Sequence, residues 1–179
     1  MSVRPLLAVA VALVFLGTGG CGDDRRSGVA PAAWVRSVCT ALSPWRAEIS
    51  ELTTKAQQQL KTAKTAAQTK TNVVELLSGA ANASERARAG VSGAGVPDVE
   101  DGETVAKYFA MSLERARDAY GNAKSTIDAL PTNDAEKFYE GVTQAFAKLK
   151  EEYAASELDP SHVQSKELRR AFDEVPECR

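Results

Sequence analysis

The first twenty residues constrain this chain more than any other segment, because they decide which residues are left to fold. Residues 1–20 have a basic start at Arg4, an apolar run from Leu6 to Leu16 and then small residues up to Cys21. These are the three parts of an export signal. The apolar run, of about eleven residues, is too short to cross a bilayer core as a mature helix. We therefore expect residues 1–20 to be a signal segment, and residues 21–179 to fold as one domain.

The end of this segment, Gly19-Gly20-Cys21, resembles a bacterial lipobox, in which small residues precede a cysteine that becomes the new N-terminus. Thr18 stands where the usual pattern has an aliphatic residue. The resemblance implies cleavage after Gly20 and a diacylglyceryl thioether on Cys21. Two or more acyl chains hold a protein stably on a membrane. The expected location is therefore the extracytoplasmic face of the cell membrane. The alternative is a secreted protein with a free or paired Cys21.

Two further cysteines remain once Cys21 is acylated, and they lie near opposite ends of the domain. An oxidising compartment favours a disulfide between Cys39 and Cys178. Such a bond closes a loop of about 140 residues, for which the chain-entropy estimate is about 5 kcal/mol. Two thiols without histidine partners do not make a zinc site. We predict the Cys39–Cys178 disulfide.

Apolar residues recur at alternating spacings of three and four, which indicates amphipathic helices, and no segment shows the alternation of strands. The pattern predicts an all-α, up-down antiparallel four-helix bundle over residues 34–179, with a short C-terminal helix tied back by the disulfide. Residues 21–33 form a polar, flexible tether. Pro44 indicates either a kink in helix one or the start of a new helix. An Asn72–Glu75 capping box opens helix two. The predicted helices cover residues 31–71, 72–91, 101–130, 135–153 and 166–173.

Three stretches of the chain carry a resemblance to a known family. They are WVRSVCTALSPW at residues 34–45, GVPDVEDG at residues 95–102, and the segment from Glu167-Leu168 to Pro176-Glu177-Cys178. In this order and spacing they resemble a family of small uncharacterised lipoproteins and secreted proteins from high-GC Gram-positive bacteria. The resemblance implies a helical domain with one cysteine near each end, and it implies no activity.

Candidate metal and catalytic residues are few. His162, the only histidine, follows Asp159 in a predicted loop without a nucleophile or base partner nearby. Asp159-x-x-His162 is one imperfect half of a di-iron motif, so we predict no such site. Four acidic residues before helix three lack the EF-hand spacing of calcium sites, and a helix N-terminus favours acidic side chains in any case. We therefore expect neither an enzyme nor a cofactor. The four acidic residues are Asp98, Glu100, Asp101 and Glu103.

The net charge and the positions of the lysines limit the kinds of partner that the protein could bind. The formal net charge of −2 is too small to favour nucleic acid. One stretch, residues 52–74, contains lysines but no Asp or Glu, which makes it the candidate surface for an anionic partner, either lipid headgroups or a wall polymer. The alternative is a solvated helix face. The lysines of this candidate patch are Lys55, Lys61, Lys64 and Lys70.

Two function classes fit these expectations. The first is a binding or interaction module of the cell envelope, anchored through Cys21, with an envelope protein or an anionic polymer as partner. The alternative is a carrier of an apolar ligand or lipid within the bundle. A carrier requires an internal cavity, and the aromatic residues expected to line one are Trp45, Phe109, Tyr120 and Phe146.

Overall fold

The computed structural model describes residues 28–154, Ser156 and residues 163–179, and these residues are almost entirely helical. Within them there is no strand, only one isolated bridge between Val29 and Pro97. The predicted all-α class is confirmed. The elements are α1 (Pro31–Thr62), α2 (Ala66–Gly93), α3 (Gly102–Ala129), α4 (Ala135–Ala154) and α5 (Lys166–Glu174), followed by a 3-10 turn (Pro176–Cys178).

Among the first four helices, each packs against the next one along the chain, which is the order expected of an up-down bundle. α2 packs along both α1 and α3, while α4 packs on α3 and makes a smaller contact with α2. α5 and the 3-10 turn both pack on α1. α4 and α5 therefore cover different parts of the three long helices.

The core has two parts as a result. The part near the start of α1, here called the proximal core, joins α1, α2, α3 and α5. In it the ring of the buried Trp34 contacts the ring of Phe109 edge-on, with the ring centroids 5.6 Å apart. Phe172 of α5 stacks on Phe109 at 5.8 Å. A distal core joins α2, α3 and α4 around Leu77 and Ile127. No α1 residue belongs to the distal core of the described chain, so the second half of α1 rests mainly on α2.

The boundary between the first two helices differs from the prediction. α1 ends at Thr62 rather than at residue 71, and α2 begins at Ala66 because Thr65 caps it by accepting a hydrogen bond from the Gln68 amide (3.2 Å). Asn72 lies inside α2, so the predicted capping box there is wrong. Its partner Glu75 instead pairs with a lysine of α1.

α1 also runs through Pro44 without a new start. Proline removes the hydrogen bond to the carbonyl of Thr40. Both residues lie on the exposed side of α1, where water can satisfy that carbonyl.

The part of the predicted tether that the structure describes, residues 28–33, belongs to the folded domain. The Val29 amide donates to the Val96 carbonyl (2.7 Å), and the Asp98 amide donates to the Val29 carbonyl (2.8 Å). α1 then begins at Pro31, the residue that the sequence favours for a first helical turn. Within the described residues, the folded domain therefore includes residues 28–33 as well as the predicted range from Trp34 onwards. Residues 1–27 lie outside the described part of the chain.

Candidate interaction surface

The predicted disulfide between Cys39 and Cys178 is confirmed. It joins α1 to the 3-10 turn, with the two Cα atoms 5.0 Å apart. Next to it, Arg36 Nε lies 3.2 Å from Glu177 Oε1, and the Ser43 hydroxyl donates to the Glu177 carbonyl (3.1 Å). The bond fixes the C-terminal tail to the proximal end of α1. Cys21, the predicted lipidation site, lies outside the described residues.

Two of the four lysines of the candidate anionic-partner patch have partners within the domain, and two do not. Lys55 Nζ lies 2.6 Å from Glu75 Oε1, and this hydrogen bond holds the pKa of Glu75 below its ordinary value. Lys70 donates to the Leu130 carbonyl (3.0 Å). Lys61 and Lys64 are exposed and have no ion pair within the described chain. An anionic partner would reach Lys61 and Lys64 without displacing an existing side-chain contact.

Two of the four acidic residues before α3 lie at the start of this helix. Asp101 occupies the N-cap position of α3 with a left-handed φ of 59°, and Glu103 lies in the first turn, where the helix dipole favours a carboxylate. Over the described ranges, no three His, Cys, Asp or Glu side chains come together as a metal-binding group. His162 lies outside those ranges.

The aromatic residues expected to line a carrier cavity are separated. Trp45 donates its indole N–H to the Ser84 hydroxyl (3.1 Å). Phe109 is 1% exposed and belongs to the proximal core. Only Tyr120 and Phe146 share a lining, at a shallow depression on the α3–α4 surface. These four residues therefore do not line one cavity.

A charged cluster that the sequence did not reveal connects α2 to α3. Glu85 accepts hydrogen bonds from Arg88 (2.6 Å) and from Arg117 (2.8 Å). The bond from Arg88 has the larger effect and the bond from Arg117 follows it. Together they lower the pKa of Glu85 to about 2. Arg117 also pairs with Asp118 at 2.7 Å. A carboxylate held ionised by two guanidinium groups is a poor proton carrier, so the cluster acts as a link between helices.

The most distinctive surface of the domain is on α4. The aromatic stripe, defined here as Tyr139, Phe146 and Tyr153, has exposed fractions of 45%, 36% and 36%. Over the described residues, these are the only aromatic side chains that are exposed rather than buried or half-buried. Their seven-residue spacing places them along one side of a helix. The three-four apolar spacing predicts that Phe146 and Tyr153 lie on the same side of this helix as Phe138 and Leu149, but both rings are exposed.

α4 buries a neighbouring face instead. Its buried side chains are Phe138, Ala145 and Leu149, which lie one or a few positions from the aromatic stripe. α4 packs mainly on α3, so the flank that carries the stripe is not covered by another helix of the described chain.

Two of the three rings are held by neighbours in the domain. The Tyr139 hydroxyl lies 3.3 Å from the Thr69 hydroxyl of α2. The Tyr153 ring lies 5.5 Å from the ring of Tyr120, whose pKa is raised by burial and then by Tyr153. Phe146 lies between them along the helix. Rings that are already positioned lose less conformational entropy when a partner binds.

Unpaired charges flank the stripe. Glu136 and Glu140 line a depression beside Tyr139, and Lys150 lines a second depression beside Phe146 and Tyr153. None of these three charged side chains has an ion pair or side-chain hydrogen bond within the described residues. Of the other charged residues of α4, Lys137 pairs with Asp134 at 3.0 Å and Lys148 with Glu152 at 3.5 Å, while Glu151 has no ion pair within the described residues.

Comparisons of this chain with protein-family models, with curated proteins and with solved structures return no match. Among the described helices, none has both the length and the apolar character needed to cross a membrane.

Proposed function

We propose that this chain is an extracytoplasmic lipoprotein, held on the cell membrane through an acylated Cys21, whose helical domain is an interaction module of the cell envelope. The class of protein is the one implied by the resemblance to small lipoproteins of high-GC Gram-positive bacteria. The aromatic stripe of α4 is its binding surface. That stripe is the observation on which the proposed activity depends.

Exposed aromatic side chains in register are typical of surfaces that bind other proteins. Tyr and Phe are enriched at interfaces because they bury a large area with few rotatable bonds. Apolar residues scattered singly over a surface require no explanation. The stripe differs from such scatter, because its three rings lie along one helix flank and unpaired charges stand at both ends. A partner could cover the rings and neutralise those charges at once.

Because Gly28 already belongs to the folded domain, the distance between that domain and an anchor at Cys21 is limited. Gly28 is already adjacent to Asp98, where an added Cβ would lie 2.8 Å from the Asp98 Cα. The segment from Cys21 to Gly28 can span at most about 25 Å when fully extended. An acylated Cys21 would therefore keep the domain close to the membrane, where its partners would be membrane-bound or membrane-proximal proteins.

The alternative proposal, a carrier of an apolar ligand, lacks a site built from the residues expected for it. Trp45 and Phe109 contribute to packing between helices, and Phe146 is on the surface. An anionic polymer could reach Lys61 and Lys64, but two exposed lysines without a supporting shell make a weak site. The interaction module is accordingly the function we favour.

The anchor is tested by cell fractionation of the full chain. Wild-type protein should sediment with membranes, and Cys21→Ser should either leave the membrane fraction or accumulate unprocessed. Normal processing and membrane retention of Cys21→Ser would contradict the anchor.

The binding surface is tested by photocrosslinking in cells. A benzoylphenylalanine in place of Phe146 should give crosslinked products on irradiation. The same probe in place of Met111 on α3 is the matched control, because Met111 is equally exposed at 36% but lies away from α4. Equal crosslinking from both positions, or none from either, would refute the assignment of the binding surface to α4.

A further inference from the structure

We infer that the domain is oriented on the membrane with its α2–α3 loop, residues 94–101, towards the lipid and with its α1–α2 turn, residues 63–65, away from it. This inference rests on the proposed function for the anchor at Cys21. It adds which end of the bundle faces the lipid surface and how far from that end the aromatic stripe meets its partner.

The N-terminal end of the described chain is fixed to the α2–α3 loop. The Val29 amide donates to the Val96 carbonyl (2.7 Å), and the Val29 carbonyl accepts from the Asp98 amide (2.8 Å). The buried Trp34 donates its indole N–H to the Gly95 carbonyl (2.9 Å). These three hydrogen bonds hold the start of α1 against the loop, so the preceding segment joins the domain at this end.

The α1–α2 turn lies at the opposite end of the domain. A Cβ added at Gly90 of α2 would lie against Ala41 of α1, and one added at Gly79 would lie against Leu52. The contact therefore moves eleven residues forward in α1 as it moves eleven residues back in α2, which shows that the two helices are antiparallel. α1 has 32 residues and is about 48 Å long. Nearly the whole length of the domain separates the turn from the α2–α3 loop.

The chain between the anchor and the domain is too short for the reverse orientation. The segment from Cys21 to Gly28 spans at most about 25 Å. With the α1–α2 turn against the membrane, Gly28 would lie more than about 40 Å from the lipid, which is beyond that span. A domain lying flat is within reach of the segment. However, the formal net charge of −2 gives an anionic bilayer no general attraction for the long faces of the bundle.

This orientation places the aromatic stripe well away from the lipid. The Tyr139 hydroxyl lies 3.3 Å from that of Thr69, which is 24 residues before the end of α2, or about 36 Å along the helix. The Tyr153 ring packs against Tyr120, which is 18 residues after the start of α3, or about 27 Å. The partner of the stripe is therefore a protein domain in the aqueous envelope, and not a lipid headgroup or a membrane-embedded helix.

The test is energy transfer from the domain to the lipid. The full chain, purified from membranes, is reconstituted in vesicles of phosphatidylcholine and phosphatidylglycerol that contain an acceptor-labelled lipid. A donor dye is attached to Ser92→Cys or to Ala67→Cys, in separate proteins. Both positions are exposed, and they lie on the same side of α2, about 37 Å apart along the helix. They are therefore matched except for their distance from the α2–α3 loop.

Transfer from residue 92 should exceed transfer from residue 67 by about twofold or more, because their heights above the lipid differ by up to about 37 Å. Equal transfer from both positions, or stronger transfer from residue 67, would overturn the orientation and leave the anchor standing. Protein that does not float with the vesicles would refute the anchor, and the orientation with it.

A second measurement examines the stripe itself in the same vesicles. Benzoylphenylalanine in place of Phe146 should give no lipid adduct on irradiation, whereas the same probe in place of Asp23, two residues after the anchor, is the positive control. A lipid adduct from residue 146 would overturn the orientation. Each variant is also melted. If either dye-labelled variant fails to fold, Gln58→Cys and Glu103→Cys repeat the comparison at exposed positions of α1 and α3 near the two ends of the domain.

Discussion

Removal of the Cys39–Cys178 bond should lower the free energy of unfolding by about 3 kcal/mol. The two cysteines are 139 positions apart, and a closed loop of that length lowers the entropy of the unfolded chain by an amount equivalent to about 5 kcal/mol at 25 °C. A compact unfolded chain has less entropy to lose, which reduces the effect.

The tail should respond first, because it is the segment that the bond ties directly to α1. Without the bond, α5 is held by the burial of Leu168 and by the stacking of Phe172 on Phe109. The ion pair between Arg36 and Glu177 is exposed and contributes little. Hydrogen exchange should therefore accelerate more in α5 and the 3-10 turn than in α2 and α3.

Urea unfolding of wild-type protein and of the Cys39→Ala/Cys178→Ala variant measures the loss. A reductant should destabilise the wild type and leave the double variant unchanged, which separates the bond from side effects of the reagent. Equal free energies of unfolding for the two proteins, within about 0.5 kcal/mol of each other, would refute the chain-entropy reasoning.

Three further predictions concern stability. Gly90→Ala should destabilise the domain by about 1–3 kcal/mol, because the new Cβ would lie 2.8 Å from the Ala41 Cβ. Gly121→Ala, whose Cβ would have no atom within 4 Å, should stabilise the domain by about 0.5–1 kcal/mol. Equal shifts in urea midpoint for the two variants would contradict the close approach of α1 and α2. The pKa of Glu85 is lowered from 4.5 to about 2, so its contribution to stability is present above pH 4.5 and is lost as pH falls towards 2. Thermal melts of Glu85→Gln should accordingly show a flatter decline over that range, and an unchanged decline would argue against the cluster. The double variant Lys61→Gln/Lys64→Gln should leave the melting temperature unchanged. Lys70→Gln should lower the free energy of unfolding by about 1 kcal/mol, because the hydrogen bond to the Leu130 carbonyl is lost. A large effect of the double variant would mean that Lys61 and Lys64 are packed.

The parts of the fold that were predictable from sequence are those with large apolar residues in a regular period. α3 is the clearest case, since Phe109, Leu113 and Ile127 hold one face and the glycines and proline before it end the preceding helix. The disulfide was predictable for a different reason. With Cys21 assigned to the lipid, an oxidising compartment leaves two cysteines with one simple pairing.

The α1–α2 boundary was not predictable, because the local signals there are nearly equivalent. Residues 53–71 contain several threonines and few large apolar side chains, so periodicity sets no strong limit on either helix. Thr65 rather than Asn72 becomes the cap, and the packing of Leu52 against Gly79 then sets the α1–α2 pairing. Such a contact between distant residues is not visible in a local pattern.

The aromatic stripe of α4 was missed for a related reason. The apolar period correctly places Phe138, Ala145 and Leu149 on a buried face. It also includes Phe146 and Tyr153, because a helical pattern cannot show how wide a face the neighbouring helices cover. That width depends on α4 packing mainly on α3, which is a property of the tertiary structure.

The proposed anchoring of the domain to the membrane is tested by the mass of the N-terminal peptide of the mature protein purified from membranes. We predict a chain that begins at Cys21 and carries the added mass of a diacylglyceryl group on that residue. An unmodified Cys21, or a mature chain that begins at any other residue, would rule out the lipid anchor.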